Sequence, residues 1–230
     1  MSLAATDARP VVAVSGMVFE SRIAAGPGVR TLAGGGDPHR LAAALERELA
    51  LGAIAFISFG IAGGLTRAAT PGIWLVADNV LAPSGRWRVD AAWGEALSRR
   101  LPGAANADLA GADAIIKSPA GKNALGSATG AFAVDTESHI VAAFAAAHGV
   151  PFAVFRVIAD PVSRELSKAA SLGMRPDGTV NRRAVLGSVL RSPGQLPLLM
   201  RNAIDARIAL RSLSRGRRLL GPRLGYPDLG

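Results

Sequence analysis

Apolar residues along this chain come in short runs, each closed by glycine or by a polar turn. Val11, Val12, Ala13 and Val14 form a β-branched run that stops at Ser15 and Gly16, the pattern of a buried strand opening into a turn. Residues 53–59 predict a second buried strand, closed by a glycine-rich turn over 60–64. Further strands are predicted at 72–81, 112–117, 131–134 and 152–159, the last an apolar run interrupted by Arg156. Between them lie stretches with helical composition. Asp37 can cap a helix over 38–51, with Pro38 at its first position. Others are expected at 91–101, ended by Pro102 and Gly103, at 121–128, and at 137–148, ended by Gly149 and Pro151. Strands alternating with helices at this spacing imply an α/β chain, one sheet covered on both faces. A polar connection over 167–192 follows, then a helix over 195–213. The division expected is a catalytic core over 1–170 and a basic connection and helix over 171–230 that complete or flank the same domain.

Composition narrows the classes. The chain has 230 residues, half of them apolar, with 27 Gly and 14 Pro, which excludes a disordered chain, a coiled coil and a collagen-like repeat. It has no Cys, which removes disulfides and thiolate metal sites. The three histidines, His39, His139 and His148, lack a ligand spacing, so no metal is expected. Mean hydropathy is +0.29. The longest uncharged run, residues 49–66, holds Gly52, Gly60, Gly63 and Gly64 and fits a helix end, a strand and a turn in place of a membrane span. Residues 1–10 carry no apolar stretch of the kind that directs secretion, so a cytoplasmic location is expected.

The net charge of +9 is concentrated at one end. Residues 175–230 hold 11 basic and 3 acidic side chains, a balance of +8. In the last helix Leu196, Leu199, Ala203, Ala206, Leu210 and Leu213 form one apolar stripe. Arg207, Arg211 and Arg215 line another side, with Ile204 and Ile208 among them. Three readings stand together: a core-packing helix with a solvated basic face, an interfacial helix meeting anionic lipid, and nucleic-acid binding. The last is disfavoured by a single Tyr and no recognition motif.

Chemistry is expected at the strand ends. Four loops stand out: residues 15–20, with Glu20; residues 60–64; residues 134–138, with Asp135, Thr136 and Glu137; and residues 158–161, with Asp160. A carboxylate after a strand is commonly a helix cap, and a glycine cluster commonly a packing turn. Their joint order, however, resembles the purine-type nucleoside phosphorylase and nucleosidase superfamily. The segments that carry the resemblance are SFGIAGGL (58–65), PGIWLVADNV (71–80) and AVDTESHIVAAFAAAHGVPFAVFRVIADP (133–161). The arginine-rich ending with LLGPRLG (219–225) is similar to the hopanoid-associated phosphorylases within that superfamily.

The resemblance implies a three-layer domain with a mixed central sheet. It also implies cleavage of the N-glycosidic bond of a 5′-substituted adenosine, with adenosylhopane the specific substrate. Asp160 would protonate the purine at N7, and Glu137 would accept the ribose 2′- and 3′-hydroxyls. Glu20, or Ser21 beside it, would position the attacking water or phosphate. Gly60, Ile61 and Ala62 would form the turn against base and sugar. Ile115 and Ile116 would face the purine, Ile115 where nucleosidases often carry an aromatic. Thr136 stands where many members have Met. No organic cofactor is implied, and inorganic phosphate is the candidate co-substrate. For a phosphate the donors would be the amides of Ser15 and Gly16 and of Gly34, Gly35 and Gly36, with Arg22 or Arg30. Ser58 stands where some phosphorylases have Arg, so water and phosphate both remain open. Relatives are oligomeric, which implies a homo-oligomer, and a lipid-linked substrate would place the enzyme at the inner face of the membrane. The rival readings are a soluble methylthioadenosine or adenosylhomocysteine nucleosidase and a non-catalytic nucleoside-binding or membrane-associated scaffold.

Overall fold

A computed structural model describes residues 9–35, 37–167, 179, 181, 191 and 193–227. The predicted connection over 167–192 lies mostly outside these residues, as does Gly36. Eight strands make one mixed sheet: β1 (Val11–Ser15), β2 (Val29–Ala33), β3 (Ala55–Gly64), β4 (Trp74–Ala82), β5 (Gly85–Arg88), β6 (Ala105–Gly111), β7 (Ala133–Asp135) and β8 (Phe152–Asp160). Around it lie α1 (Val18–Ala24), α2 (Pro38–Ala50), α3 (Ala91–Arg100), α4 (Pro119–Thr129), α5 (Ser138–Ala147) and a long C-terminal helix, α6 (Leu196–Leu220).

The pairing closes on itself. β3 pairs with β8 in parallel, β8 with β4 antiparallel, β4 with β6 and β6 with β7 in parallel, and β7 returns to β3 antiparallel. β1 and β2 extend the sheet from β3, and β5 extends it from β4. Strand alternation sends Phe56 of β3 and Phe152, Val154 and Ile158 of β8 to one face, against Leu41 and Leu45 of α2 and Val141 and Phe144 of α5. Ile57 and Phe59, with Ala153, Phe155 and Val157, go to the other face, against Ala24 of α1, Trp93 and Leu97 of α3 and Leu213 of α6. The expected α/β class, a mixed sheet flanked by helices, is what the chain adopts.

Several expected elements differ in place. Residues 60–64 are not a turn; they continue β3, because backbone pairing with β8 and β7 holds them extended. Residues 112–117 are not a strand; the ladder beside β4 and β7 is made by 105–111, a less apolar stretch. α1, β2 and β5 lacked a clear hydrophobic period in the sequence. The last helix runs seven residues past 213, to Leu220. Its buried apolar residues are Ala209, Leu213 and Leu220, whereas Leu196 is exposed. Among the described residues no helix is long and apolar enough to cross a membrane.

Candidate active site

A cavity of about 480 Å³ opens where β1, β3, β7 and β8 end. Glu20, Ile61, Ala62, Ile115, Ile116, Asp135, Thr136, Glu137 and Asp160, proposed from five separate stretches, all line it, together with Gly16 and Gly35. Ser15, Ser58 and Gly60 do not, and all three are buried.

Arg156, an interruption of the apolar run in the sequence, organises the floor. Arg156 takes the inward position between Val154 and Ile158 on β8 and is buried. Its Nε lies 2.7 Å from Asp135 Oδ2, its Nη2 lies 3.3 Å from Glu137 Oε2 and donates to Ser58 Oγ at 2.6 Å, and its Nη1 donates to the Ile61 carbonyl at 3.2 Å. The register explains the room for it. Gly60 of β3 sits opposite Arg156, and a Cβ there would stand 2.7 Å from Arg156 Nη1 and 2.6 Å from Glu20 Oε1. Gly60 is therefore the space that the guanidinium and Glu20 fill, in place of a turn. The cation that meets Ser58 comes from the neighbouring strand, β8. The signal available in the sequence was a lone charge inside an otherwise apolar strand.

Three acids surround this cation. Glu20 stands in the first turn of α1, where its Oε2 accepts the Met17 N–H at 2.6 Å, the reciprocal half of a capping box. Its Oε1 accepts the Ile61 N–H at 2.8 Å, which ties α1 to β3. Burial raises Glu20 to about 7 against the pull of Arg156. Ser21 turns away and donates to the Leu32 carbonyl. Glu137 is buried over Gly16, whose absent Cβ would lie 2.9 Å from Glu137 Oε1. Thr136 Oγ1 donates to the same oxygen at 2.5 Å. Burial raises Glu137 as well, again opposed by Arg156. Asp135 is an anchor: Oδ1 accepts the N–H groups of Glu137 and Ser138 at 3.3 and 3.0 Å, and Oδ2 meets Arg156 and the Ser138 hydroxyl.

On the other side of the cavity, Asp160 ends β8. A register shift between Ala62 and Gly63 brings it opposite Gly63, where a side chain would crowd its carboxyl. Burial raises its pKa, and the ammonium of Lys122, bonded to Oδ2, opposes that rise.

Of the expected anion donors, Gly16 and Gly35 line the cavity and the two arginines do not. Arg22 is exposed and does not line the cavity. Arg30 pairs with Glu48 at 2.6 Å and donates to the Glu48 and Leu51 carbonyls. The Gly34 and Gly35 amides are taken by the carbonyls of Ser15 and Gly16, at 2.7 and 3.0 Å, as β1 and β2 continue their pairing. Arg156 already faces two carboxylates. At the mouth, Leu199, Ala203 and Ala206 of α6 and Leu166 add an apolar wall beside Ile115 and Ile116.

No family model matches the sequence, and no curated protein matches it. Solved structures share its fold. A futalosine hydrolase mutant of Helicobacter pylori superposes with a TM-score of 0.62 at 16% identity, covering 84% of this chain and 98% of that one. The S-adenosylhomocysteine nucleosidase of Streptococcus pyogenes, in complex with 5-methylthiotubericidin, gives 0.58 at 14% identity, over 92% of this chain and 99% of that one. The 5′-methylthioadenosine/S-adenosylhomocysteine nucleosidase of S. pneumoniae gives 0.60 at 13% identity, over 92% and 99%. At these identities the likeness establishes a common architecture and no more.

Proposed function

We propose that this chain is a nucleosidase that cleaves the N-glycosidic bond of a 5′-substituted adenosine with water and releases adenine. The observation that carries the reading is the meeting, in one cavity, of Glu20 and Glu137 beside Arg156 with Asp160 on the same lining. Bond cleavage needs a proton at the leaving purine, a hold on the sugar hydroxyls and an aligned nucleophile. Asp160, raised by burial, supplies the first. Glu137, oriented by Thr136 and Arg156, supplies the second. Glu20, near 7, is matched to accept a proton from water around neutral pH. Water is favoured over phosphate because Arg156 is already matched by acids and the Gly34 and Gly35 amides are engaged; a dianion would meet buried carboxylates.

The 5′ group is read as hydrocarbon, in keeping with the apolar wall of the mouth, and the resemblance to hopanoid-associated enzymes makes adenosylhopane the first choice. Along α6 the wall runs into an exposed row, Leu196, Met200, Ile204 and Ile208, flanked by exposed arginines. That row is suited to anionic lipid at the inner face of the membrane.

The test is adenine release, followed by chromatography, from adenosylhopane in detergent and from methylthioadenosine, each with and without phosphate. Release that ignores phosphate is expected, with Asp160→Asn lowering kcat about 10²-fold or more and leaving KM nearly unchanged. Phosphate dependence would sink the hydrolytic reading, and preference for methylthioadenosine the lipid-linked substrate. Folded protein that frees no adenine from either would leave a binding scaffold.

A further inference from the structure

Lys122 is the one buried residue of α4, and the reaction as drawn above does not use it. Its Nζ donates to Asp160 Oδ2, to the Pro161 carbonyl at 3.1 Å and to the Arg164 carbonyl at 3.0 Å. An ammonium has three N–H groups, and all three are used. Burying a lysine completely is costly, and an apolar residue would fill the same place at lower cost. The charge is therefore spent on what it touches: one oxygen of the acid and the backbone just after it. The other oxygen, Oδ1, lies beside Gly63 on β3, where that residue's missing side chain leaves space.

We propose that Lys122 is a positioning residue for the acid: it holds Asp160 by Oδ2 so that the proton is carried on Oδ1 toward the purine, and it steadies the carboxylate left behind. This rests on Asp160 being the acid. In the step, the Asp160 O–H bond breaks and an N–H bond forms on the purine. The electron pair of the glycosidic bond passes into the purine ring. Water bonds to C1′ and gives a proton to Glu20, and solvent returns that proton to Asp160. The negative charge that appears on Asp160 is created against a fixed ammonium, which makes it a stronger acid than burial alone would allow.

The test compares wild type with Lys122→Gln and Lys122→Met. It measures kcat and KM for adenine release from methylthioadenosine across pH, and the titration of the Asp160 carboxyl carbon by NMR, identified with Asp160→Asn. Both Lys122 variants are expected to lose about tenfold or more in kcat, with KM within about twofold. Their alkaline limb and the Asp160 titration should both move to higher pH. If Lys122 merely pins the turn after β8, Gln, which keeps hydrogen-bond donors, will restore kcat and leave the Asp160 titration in place; that result overturns the proposal. If the variants do not fold, the wild-type Lys122 ¹⁵N resonance decides: it must shift at the pH where Asp160 titrates, and a resonance that ignores that pH overturns the proposal. Full activity in Asp160→Asn would instead sink the acid reading itself.

Discussion

Arg156 shows how one buried cation governs the acids around it. With Asp135, Glu137 and Glu20 about it, their ionised forms would outnumber it, so burial leaves Glu20 and Glu137 with raised affinity for protons. This has a consequence for stability with a definite sign. Glu20 titrates near 4.5 when unfolded and at about 7 when folded. Between those values the folded state binds more protons, so the stability that Glu20 contributes is full below about 4.5 and is lost as pH rises through 7. The whole change is about 3 kcal/mol, from roughly 1.4 kcal/mol per unit. Glu137 and Asp160 act in the same direction. Thermal melts from pH 5 to 8 should therefore show a falling midpoint. In Glu20→Ala the midpoint starts lower, because the Met17 and Ile61 N–H groups lose their acceptor, yet it falls less steeply. Equal slopes in the two proteins would show that Glu20 is ionised throughout.

At the scale of elements, the site depends on where strands and helices come close. Gly60 opposite Arg156, Gly63 opposite Asp160 and Gly16 beneath Glu137 are all positions where a missing side chain admits a functional one. α6 uses the same device. A Cβ on Gly216 would stand 2.5 Å from Phe155 Cζ, and Phe155 is fully buried. Nearby, Trp74 Nε1 donates to the Ser212 carbonyl at 3.0 Å and Ser212 Oγ to the Gly72 carbonyl at 2.7 Å. Gly216→Val should cost about 1–3 kcal/mol and lower the melting midpoint, because neither partner has room to move. An unchanged midpoint would mean that α6 does not rest on β8 as described. The same helix reaches the segment after β8: Asn202 accepts the Ser167 N–H at 3.0 Å, and Asp205 meets Arg164 at 2.8 Å.

For the whole molecule, the charge is lopsided along the chain: residues 175–230 carry +8 of the net +9, and α6 within them also lends Leu199, Ala203 and Ala206 to the cavity wall. Arg201, Arg207, Arg211, Arg215 and Arg218 are exposed along α6, the helix that also exposes Met200 and Ile204 to 58% and 56%. On the proposed lipid-facing reading, charge would draw the helix to an anionic bilayer and the apolar row would anchor it. The protein should co-sediment with vesicles containing about one-third phosphatidylglycerol, and much less so with phosphatidylcholine alone. Salt beyond a few hundred millimolar should weaken that binding as the Debye length shrinks to a few ångströms. Ile204→Asp with Ile208→Asp should abolish it while leaving adenine release from methylthioadenosine intact. Sedimentation that ignores lipid charge and both substitutions would remove the membrane from the proposal.

What the sequence determined by itself was local. Runs of Val, Ile and Phe must be buried and pair as strands, so β1, the first half of β3 and β8 were legible, as were the helix capped by Asp37 and the one ended by Gly149. The carboxylates at strand ends could be named as candidates because a strand end is where a side chain can be both held and reached. What only the tertiary structure decided was partnership across long separations. Nothing in the pattern around Arg156 says that it meets Ser58, 98 residues away, and nothing around Lys122 says that it meets Asp160, 38 residues away. β5 and β6 were hidden for the same reason. Their residues are only moderately apolar, and they become strands because β4 offers them unpaired backbone. Hydrophobic periodicity records how much of a residue is buried, whereas the identity of its neighbour is fixed by strand register and helix docking, which exist only once the chain has closed on itself.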